Sequence, residues 1–300
     1  MIFPVNNFIG EIAALSAALL WAISSVVYIH LGLKIPPLQL NLYKGIIAIA
    51  FIAITLLIQG AALRDLSPQT LSLLFLSGIV GIGLGDTAYF AALNSLGARR
   101  TLLLETFSPP IGALLALIFI GEQLTTNAWC GILLTILGIA WVISERNPVD
   151  NISVSRQGII WGILAAIAQA VGAVISRFAL TQSDITPLAS TLIRLLGGTA
   201  IVLGLIFIPL PVAQKPGIKW KLSWHSLKII AIAAMGSTYL GIWLQQTSLK
   251  FAPTGIAQTF LATSPLFVMP IVALQGEKIS WRAILGVIVS LSGIALIFVR

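Results

Sequence analysis

The sequence predicts an all-α polytopic membrane protein, with ten transmembrane helices arranged as two inverted five-helix repeats. Three observations carry this. First, the 300 residues are 58% hydrophobic and only 9% charged, with a mean hydropathy of +1.03. A soluble domain is about one quarter charged, so lipid must solvate most of this surface. Second, apolar runs long enough to span a bilayer recur along the whole chain; a hydrocarbon core of about 30 Å needs roughly 20 residues of helix. Third, the second half repeats the first.

The candidate spans, taken in order, lie at about 8–30, 38–59, 70–94, 100–120, 127–144, 158–180, 187–210, 227–249, 253–274 and 281–299. Backbone polar groups in lipid must pair within their own segment, so these runs read as helices. The opening MIFPVNNFIG has no Lys or Arg, unlike the basic start of a signal peptide, and the first run is expected to be a retained helix. The connections are short. The longest, 211–226, is rich in Lys, Pro and Trp and suits the headgroup level. Trp129, Trp220, Trp224 and Trp281 fall at helix ends as interfacial anchors.

The repeat is read from offsets. Gly121-Glu122 matches Gly276-Glu277 at 155, and the same offset places Pro110 on Pro265, Gly131 on Gly286 and Gly138 on Gly293. Ser95-Leu96 matches Ser248-Leu249 at 153, and Lys44 falls near Arg194 at 150. Five helices per half is an odd number, so the second half enters the membrane from the opposite side. Units 1–145 and 157–300 would then be related by an axis in the membrane plane, a design common among transporters.

Each unit has a proline-bearing fourth helix ending in Gly-Glu and a glycine-rich fifth helix. The carrying stretches are WAISSVVYIHLG, SPPIGALLALIFIGEQL, the GxxxTxxG of 131–138, SPLFVMPIVALQGEKI and the GxxxSxxG of 286–293. These resemble the drug/metabolite transporter superfamily, EamA-like branch, over nearly the whole chain. The resemblance implies ten helices and secondary transport or export of small metabolites. It also implies an arginine in the second helix, near the places of Lys44 and Arg194. Many members have a mostly neutral third helix, whereas this chain has Asp86 within GIGLGDTAYF.

Asp86 is the main candidate for chemistry. A carboxylate at membrane depth costs about 2.5–3.5 kcal/mol on insertion scales, so it should face a cavity or a partner. It reads as a substrate or proton site, or else as one half of a pair with a base such as Lys44. Tyr89 lies three residues on, and Tyr239 occupies the matching place in the repeat. Trp243 and Gln245 complete a cavity suited to an amino acid, a cationic drug or a sugar-like metabolite. Lys44 and Arg194 sit about two turns into matching helices, where they either snorkel to the headgroups or share a role in anchoring an anion. Glu105 is expected one turn into the fourth helix, favoured there by the helix dipole. Pro109, Pro110 and Pro265 remove donors and free carbonyls, which a membrane tolerates beside a cavity or inside protein. Gly121-Glu122 and Gly276-Glu277 read as turns, with Thr125 and Ser280 capping the helices that follow. The small-residue stripes Ser77-Gly81-Gly85, Gly131-Thr135-Gly138 and Gly286-Ser290-Gly293 read as packing surfaces.

Other functions fit less well. His30 and His225 stand in no metalloprotease setting, no GxSxG occurs, and Cys130 is alone, so an intramembrane enzyme, a metal site or a cofactor is not expected. No Walker A motif is present. The net charge of +8 is scattered over short loops and forms no nucleic-acid stripe. An uncoupled channel remains the alternative to a carrier. The expected partners are the bilayer, a small solute and, as coupling ion, the proton, with the chain a monomer or weak dimer in the inner (plasma) membrane. Loop charges place Lys34, Arg99, Arg100, Arg146 and most other bases on one side, cytoplasmic by the positive-inside rule and leaving both termini outside. Members of the family usually have both termini inside, so the two indications disagree.

Overall fold

The structure is a computed structural model, and it describes residues 8–32, 35–60, 66–144, 155–207, 222–274 and 280–298. Every regular element among them is helical. In the first half these are α1 (Ile9–Gly32), α2 (Pro37–Ile58), α3 (Pro68–Ser77), a π-helical segment (Gly78–Gly85), α4 (Asp86–Glu105), α5 (Ser108–Ile120) and α6 (Thr126–Ser144). In the second half they are α7 (Arg156–Thr181), α8 (Pro187–Ile206), α9 (Trp224–Ala234), a π-helical segment (Met235–Leu240), α10 (Gly241–Phe251), α11 (Thr254–Leu261), α12 (Ser264–Leu274) and α13 (Trp281–Phe298). Among the described residues six helical stretches are long and apolar enough to cross a membrane, and Ile9–Ser25, Thr126–Val142 and Trp281–Ile297 are shorter apolar ones. Their outward faces carry large apolar side chains such as Leu57, Ile58, Ile118 and Phe119, all strongly exposed, as a lipid-facing surface requires.

Local chemistry sets the helix starts. Pro37, Pro68 and Pro187 stand at first helical positions, where the missing N–H costs nothing. Ser67, Ser155, Thr186 and Ser223 accept a backbone N–H of the first turn. The expected caps Thr125 and Ser280 do the same for Ala128 and Ala283. Gly121 adopts φ +68°, the left-handed turn expected of Gly121-Glu122. The matching Gly276-Glu277 lies outside the described residues, as do Trp220 and most of 211–226.

Two boundaries differ from the sequence reading. No loop separates the third span from the fourth: α4 runs on to Glu105, because nothing before Pro109 removes a donor. The chain breaks instead at Thr106–Phe107, where Thr106 and Phe107 donate to the carbonyls of Leu103 and Leu104. Glu105 is therefore the last residue of α4, at the negative end of the helix dipole, and not near a helix start. The second break, at Ala262–Thr263, puts Pro265 second in α12 just as Pro109 is second in α5. By position at the break, Pro265 corresponds to Pro109 and not to Pro110.

Glycines let the backbones meet. A Cβ on Gly78 would lie 1.9 Å from the Arg194 carbonyl oxygen, and one on Gly197 2.2 Å from that of Phe75. The glycines of GIVGIGLG thus bring the first π segment against α8. Gly81 lies against Gly172 of α7, and Ser77 donates to the Gly172 carbonyl at 2.6 Å. Gly78→Ala is expected to destabilise by about 1–3 kcal/mol, the usual penalty of overpacking, read as a fall in melting temperature of the purified protein. Gly204→Ala, with nothing within 4 Å of the added carbon, should leave it level or slightly higher.

Helices α6 and α13 also pack closely. Gly131 faces the Gly293 carbonyl, and Gly138 faces the hydroxyl and backbone nitrogen of Ser290 and the Gly286 carbonyl, so numbers rise in one helix as they fall in the other. Thr135 Oγ1 donates to the Ser290 carbonyl at 3.4 Å, and Ser290 Oγ to the Thr135 carbonyl at 3.3 Å. The two small-residue stripes are therefore each other's partners, with reciprocal contacts between antiparallel helices.

Candidate functional site

A cavity of about 230 Å³ lies between the halves. Its charged and amide lining comes from both: Lys44, Asp86 and Glu105 from the first, Gln169, Arg194, Gln245 and Gln258 from the second. Aromatic and aliphatic walls include Trp21, Tyr28, Tyr89, Phe90, Leu102 and Val268. The volume is below the roughly 300–1,000 Å³ of pockets for drug-sized ligands, so it suits a small solute.

The first π segment positions Asp86. A π turn takes more residues than an α turn and is frequent at functional sites. It also leaves carbonyls misaligned with the ladder. Asn41 of α2, buried, collects them: its Nδ2 donates to Ile82 at 2.9 Å and to the Thr87 hydroxyl at 3.1 Å, and Thr87 Oγ1 donates to Gly83 at 2.6 Å. With the segment pinned, Asp86 opens α4 facing inward. Lys44 Nζ donates to its Oδ2 and Gln169 Nε2 to its Oδ1 at 3.0 Å. The pair is largely shielded, with side chains 8% and 16% exposed. Lys44 also lies 5.0 Å from the Phe90 ring centre, over a face that attracts cations. Lys44 therefore turns inward to a counter-charge and does not snorkel.

Arg194 sits at the same depth in α8 as Lys44 in α2, each seven residues past the first proline. Its environment differs. Arg194 is 1% exposed and gives Nη1 to Gln245 Oε1 at 3.3 Å, while its Nε has no partner among the described residues. Room for the guanidinium comes from Gly81, whose added Cβ would lie 3.1 Å from Nη2. Glu105 reaches the cavity from the end of α4, and its Oε1 likewise has no partner among the described residues. Pro109 and Pro110 have no N–H to offer the Glu105 and Thr106 carbonyls one turn back. The break is thus rich in acceptors.

Several sequence candidates meet here: Lys44, Asp86, Tyr89, Glu105, Arg194, Gln245 and Pro265 all line the cavity. Three do not. Pro110 gives way to its neighbour Pro109. Tyr239 points to α2, where its hydroxyl and Thr55 Oγ1 share a hydrogen bond of 2.9 Å, and Trp243 packs on Tyr239 with ring centres 6.1 Å apart. The second π segment rotates the face there, so Ser237 and Thr238 line the cavity instead of Tyr239. Trp21 Nε1 donates to the Ser237 carbonyl at 2.8 Å, and the hydroxyls of Tyr28 and Ser237 are 2.9 Å apart, tying α1 to that segment. Gln169, Gln258 and Asn41 were missed in the sequence. The reasoning that singled out Asp86, a polar group inside an apolar span, would have found Gln169 and Gln258.

At one end of the bundle a second pair forms. Arg177 Nε donates to Glu122 Oε1 at 2.6 Å and Nη1 to the carbonyls of Leu249 and Lys250 at 2.8 Å each. Glu122 Oε2 accepts the Thr254 N–H, which opens α11, at 2.8 Å. The Gly-Glu turn is therefore also an ionic tie between the halves.

Comparison with known proteins agrees with this architecture. An uncharacterized transporter of Archaeoglobus fulgidus is 24% identical over 291 residues, covering 95% of this chain and 96% of that protein. A solved crystal structure superposes with a TM-score of 0.76 at 17% identity, covering 96% of each chain, a likeness of fold. The profile of the EamA-like transporter family matches twice, over residues 8–144 and again over 156–299. With both halves matched, this integral multi-pass membrane protein belongs to the EamA-like transporter family.

Proposed function

We propose that the protein is a secondary carrier that exports a small solute across the plasma membrane by alternating access. On this reading residues 1–145 and 157–300 are inverted five-helix units, ten spans in all, and the cavity between them is the substrate site. The observation that carries the reading is the cavity itself, lined by charged and amide side chains of both halves and flanked by both proline breaks. Broken helices and polar groups at a repeat interface are the recurrent construction of carrier sites. The antiparallel, reciprocal contact of Thr135 with Ser290, 155 residues apart, favours the inverted relation.

Asp86 serves as the coupling group in this scheme. Lys44 and Gln169 donate to its two oxygens in the state described. A proton and a solute would compete for it when Lys44 moves away, and such competition is enough for exchange.

Counterflow in proteoliposomes tests the carrier. Vesicles preloaded with a candidate solute should accumulate its labelled form transiently, with saturation. Flux that rises linearly with concentration and shows no counterflow would identify a channel. Reversing a pH gradient across the same vesicles should reverse net flux if the proton is the coupling ion.

A further inference from the structure

We propose that the tie between Arg177 and Glu122 is a gate: it shuts one mouth of the cavity, and it must break for the cavity to reach that end of the bundle along a seam of buried hydroxyls. The inference rests on the protein being a carrier that works by alternating access.

The cavity stops short of this end. Three helices each give it an amide: Gln169 from α7, Gln245 from α10 and Gln258 from α11. Toward the tie the same helices carry Ser176, Ser248 and Thr254, fully buried and outside the cavity lining. The spacings are seven, three and four residues, so each hydroxyl continues the face of its amide by one or two turns. Arg177, the last turn of α10 and the first turn of α11 come next, and the tie binds them together. The seam is tightly closed. Gly112 of α5 lies against Thr254 and Gln258, and a Cβ on Gly255 would lie 2.6 Å from that of Ala113.

Two features mark a closure built to open. The first is how the bonds are distributed. Glu122, from the first half, accepts Arg177 Nε at 2.6 Å and the Thr254 N–H at 2.8 Å, both from the second half. The bonds of Arg177 to the Leu249 and Lys250 carbonyls stay within the second half. Drawing the end of α5 away from α7 and α11 therefore frees one carboxylate, and water solvates it and the guanidinium once the mouth is wet. The second feature is the polarity of the seam. Ser248 Oγ and Thr254 Oγ1 have no partner among the described residues, and neither has Nε2 of Gln246, whose Oε1 accepts Ser176 Oγ at 2.5 Å. A buried polar group without a partner is a cost, and water entering along the seam removes it. The shut state forgoes hydrogen bonds that a wet seam makes, and the tie offsets that loss. Weakening the tie shifts the balance toward the open mouth by as much as it stabilised the shut one.

Thiol accessibility of the full-length protein in nanodiscs, where both faces meet solvent, tests this. Cys130 is exposed and is first replaced by serine. One reporter is then added at a time: Ser248→Cys on the seam, Ser25→Cys in the cavity, or Ala48→Cys, fully buried in another part of the core. The probe is a small, charged methanethiosulfonate. With the tie intact, Ser25→Cys should react at least tenfold faster than Ser248→Cys. Equal rates would overturn the gate, and this comparison leaves the tie unaltered. Adding Glu122→Gln or Arg177→Lys should raise the rate at Ser248→Cys at least tenfold and leave Ala48→Cys unreactive. An unchanged rate at Ser248→Cys in both variants, or an equal rise at Ala48→Cys, would reduce the tie to a structural brace. Counterflow that persists in that case would leave the carrier standing without this gate. The expected shift at Ser248→Cys in a protein that shows no counterflow of any solute would keep the gate and remove the carrier.

Discussion

Asp86→Asn is expected to lower the melting temperature of the purified protein sharply, by the equivalent of about 3–5 kcal/mol, the usual cost of removing one partner of a buried ion pair. The cause is Lys44. Its side chain is 8% exposed, and its counter-charge is the Asp86 carboxylate. Without it an ammonium stays in a low-dielectric cavity beside Phe90, stripped of the carboxylate it bonds. The double variant Lys44→Gln with Asp86→Asn should recover most of the loss, because two neutral amides can bond to each other and to Gln169. A large positive coupling in this cycle would measure the pair. The double variant also separates structure from coupling. Reconstituted, it should bind solute yet run without dependence on a pH gradient, and Asp86→Glu should keep part of that dependence. A stable double variant whose flux still follows the gradient would end the coupling role of Asp86 and leave the pair purely structural.

Arg177→Met should be about as damaging, again by about 3–5 kcal/mol, although Arg177 is not among the residues that line the cavity. One guanidinium holds the Glu122 carboxylate and two carbonyls at the end of α10, while Glu122 holds the first turn of α11. Removing it strands the carboxylate and two acceptors together. Arg177→Lys should restore only part of the loss, since an ammonium cannot address three acceptors in the same plane. Glu122→Gln should cost less than Arg177→Met, because an amide oxygen can still accept the Thr254 N–H. Melting temperatures of the three variants check the order, and equal losses for Arg177→Lys and Arg177→Met would contradict the fork.

The helices were legible because lipid leaves the backbone few options. A run of apolar residues at membrane depth must be helical, and proline and glycine mark its ends by their own chemistry. Hence the starts at Pro37 and Pro187, the turn at Gly121 and the cap at Thr125 fall where the sequence places them. The stripe Gly131-Thr135-Gly138 was legible as a packing surface, though not which helix it meets. The boundary between α4 and α5 was misplaced: spans at about 70–94 and 100–120 put a break between them, but only Pro109 and Pro110 remove donors, and the helix runs on to Glu105. That error reversed the reading of Glu105, which closes a helix and does not open one.

By itself, then, the sequence determined a lipid-embedded helical chain with related halves, and it marked Asp86, Lys44, Arg194 and Glu105 as charges needing an explanation. The reason is energetic: a charge in hydrocarbon is costly enough to be conspicuous in one dimension. Which charges are paired and which are free was decided only by the tertiary structure. Lys44 and Arg194 occupy equivalent places in their helices, yet Lys44 meets Asp86 while the Nε of Arg194 meets no acceptor among the described residues. Two π segments set which side chains face the cavity, because each inserts residues that no 3.6-residue period anticipates. Past the first, Asp86 turns inward; past the second, the matching Tyr239 turns away to Thr55. Facing direction across such a segment depends on which neighbours take up the released carbonyls, here Asn41 and Thr87 at the first, and those neighbours come together only when the helices pack.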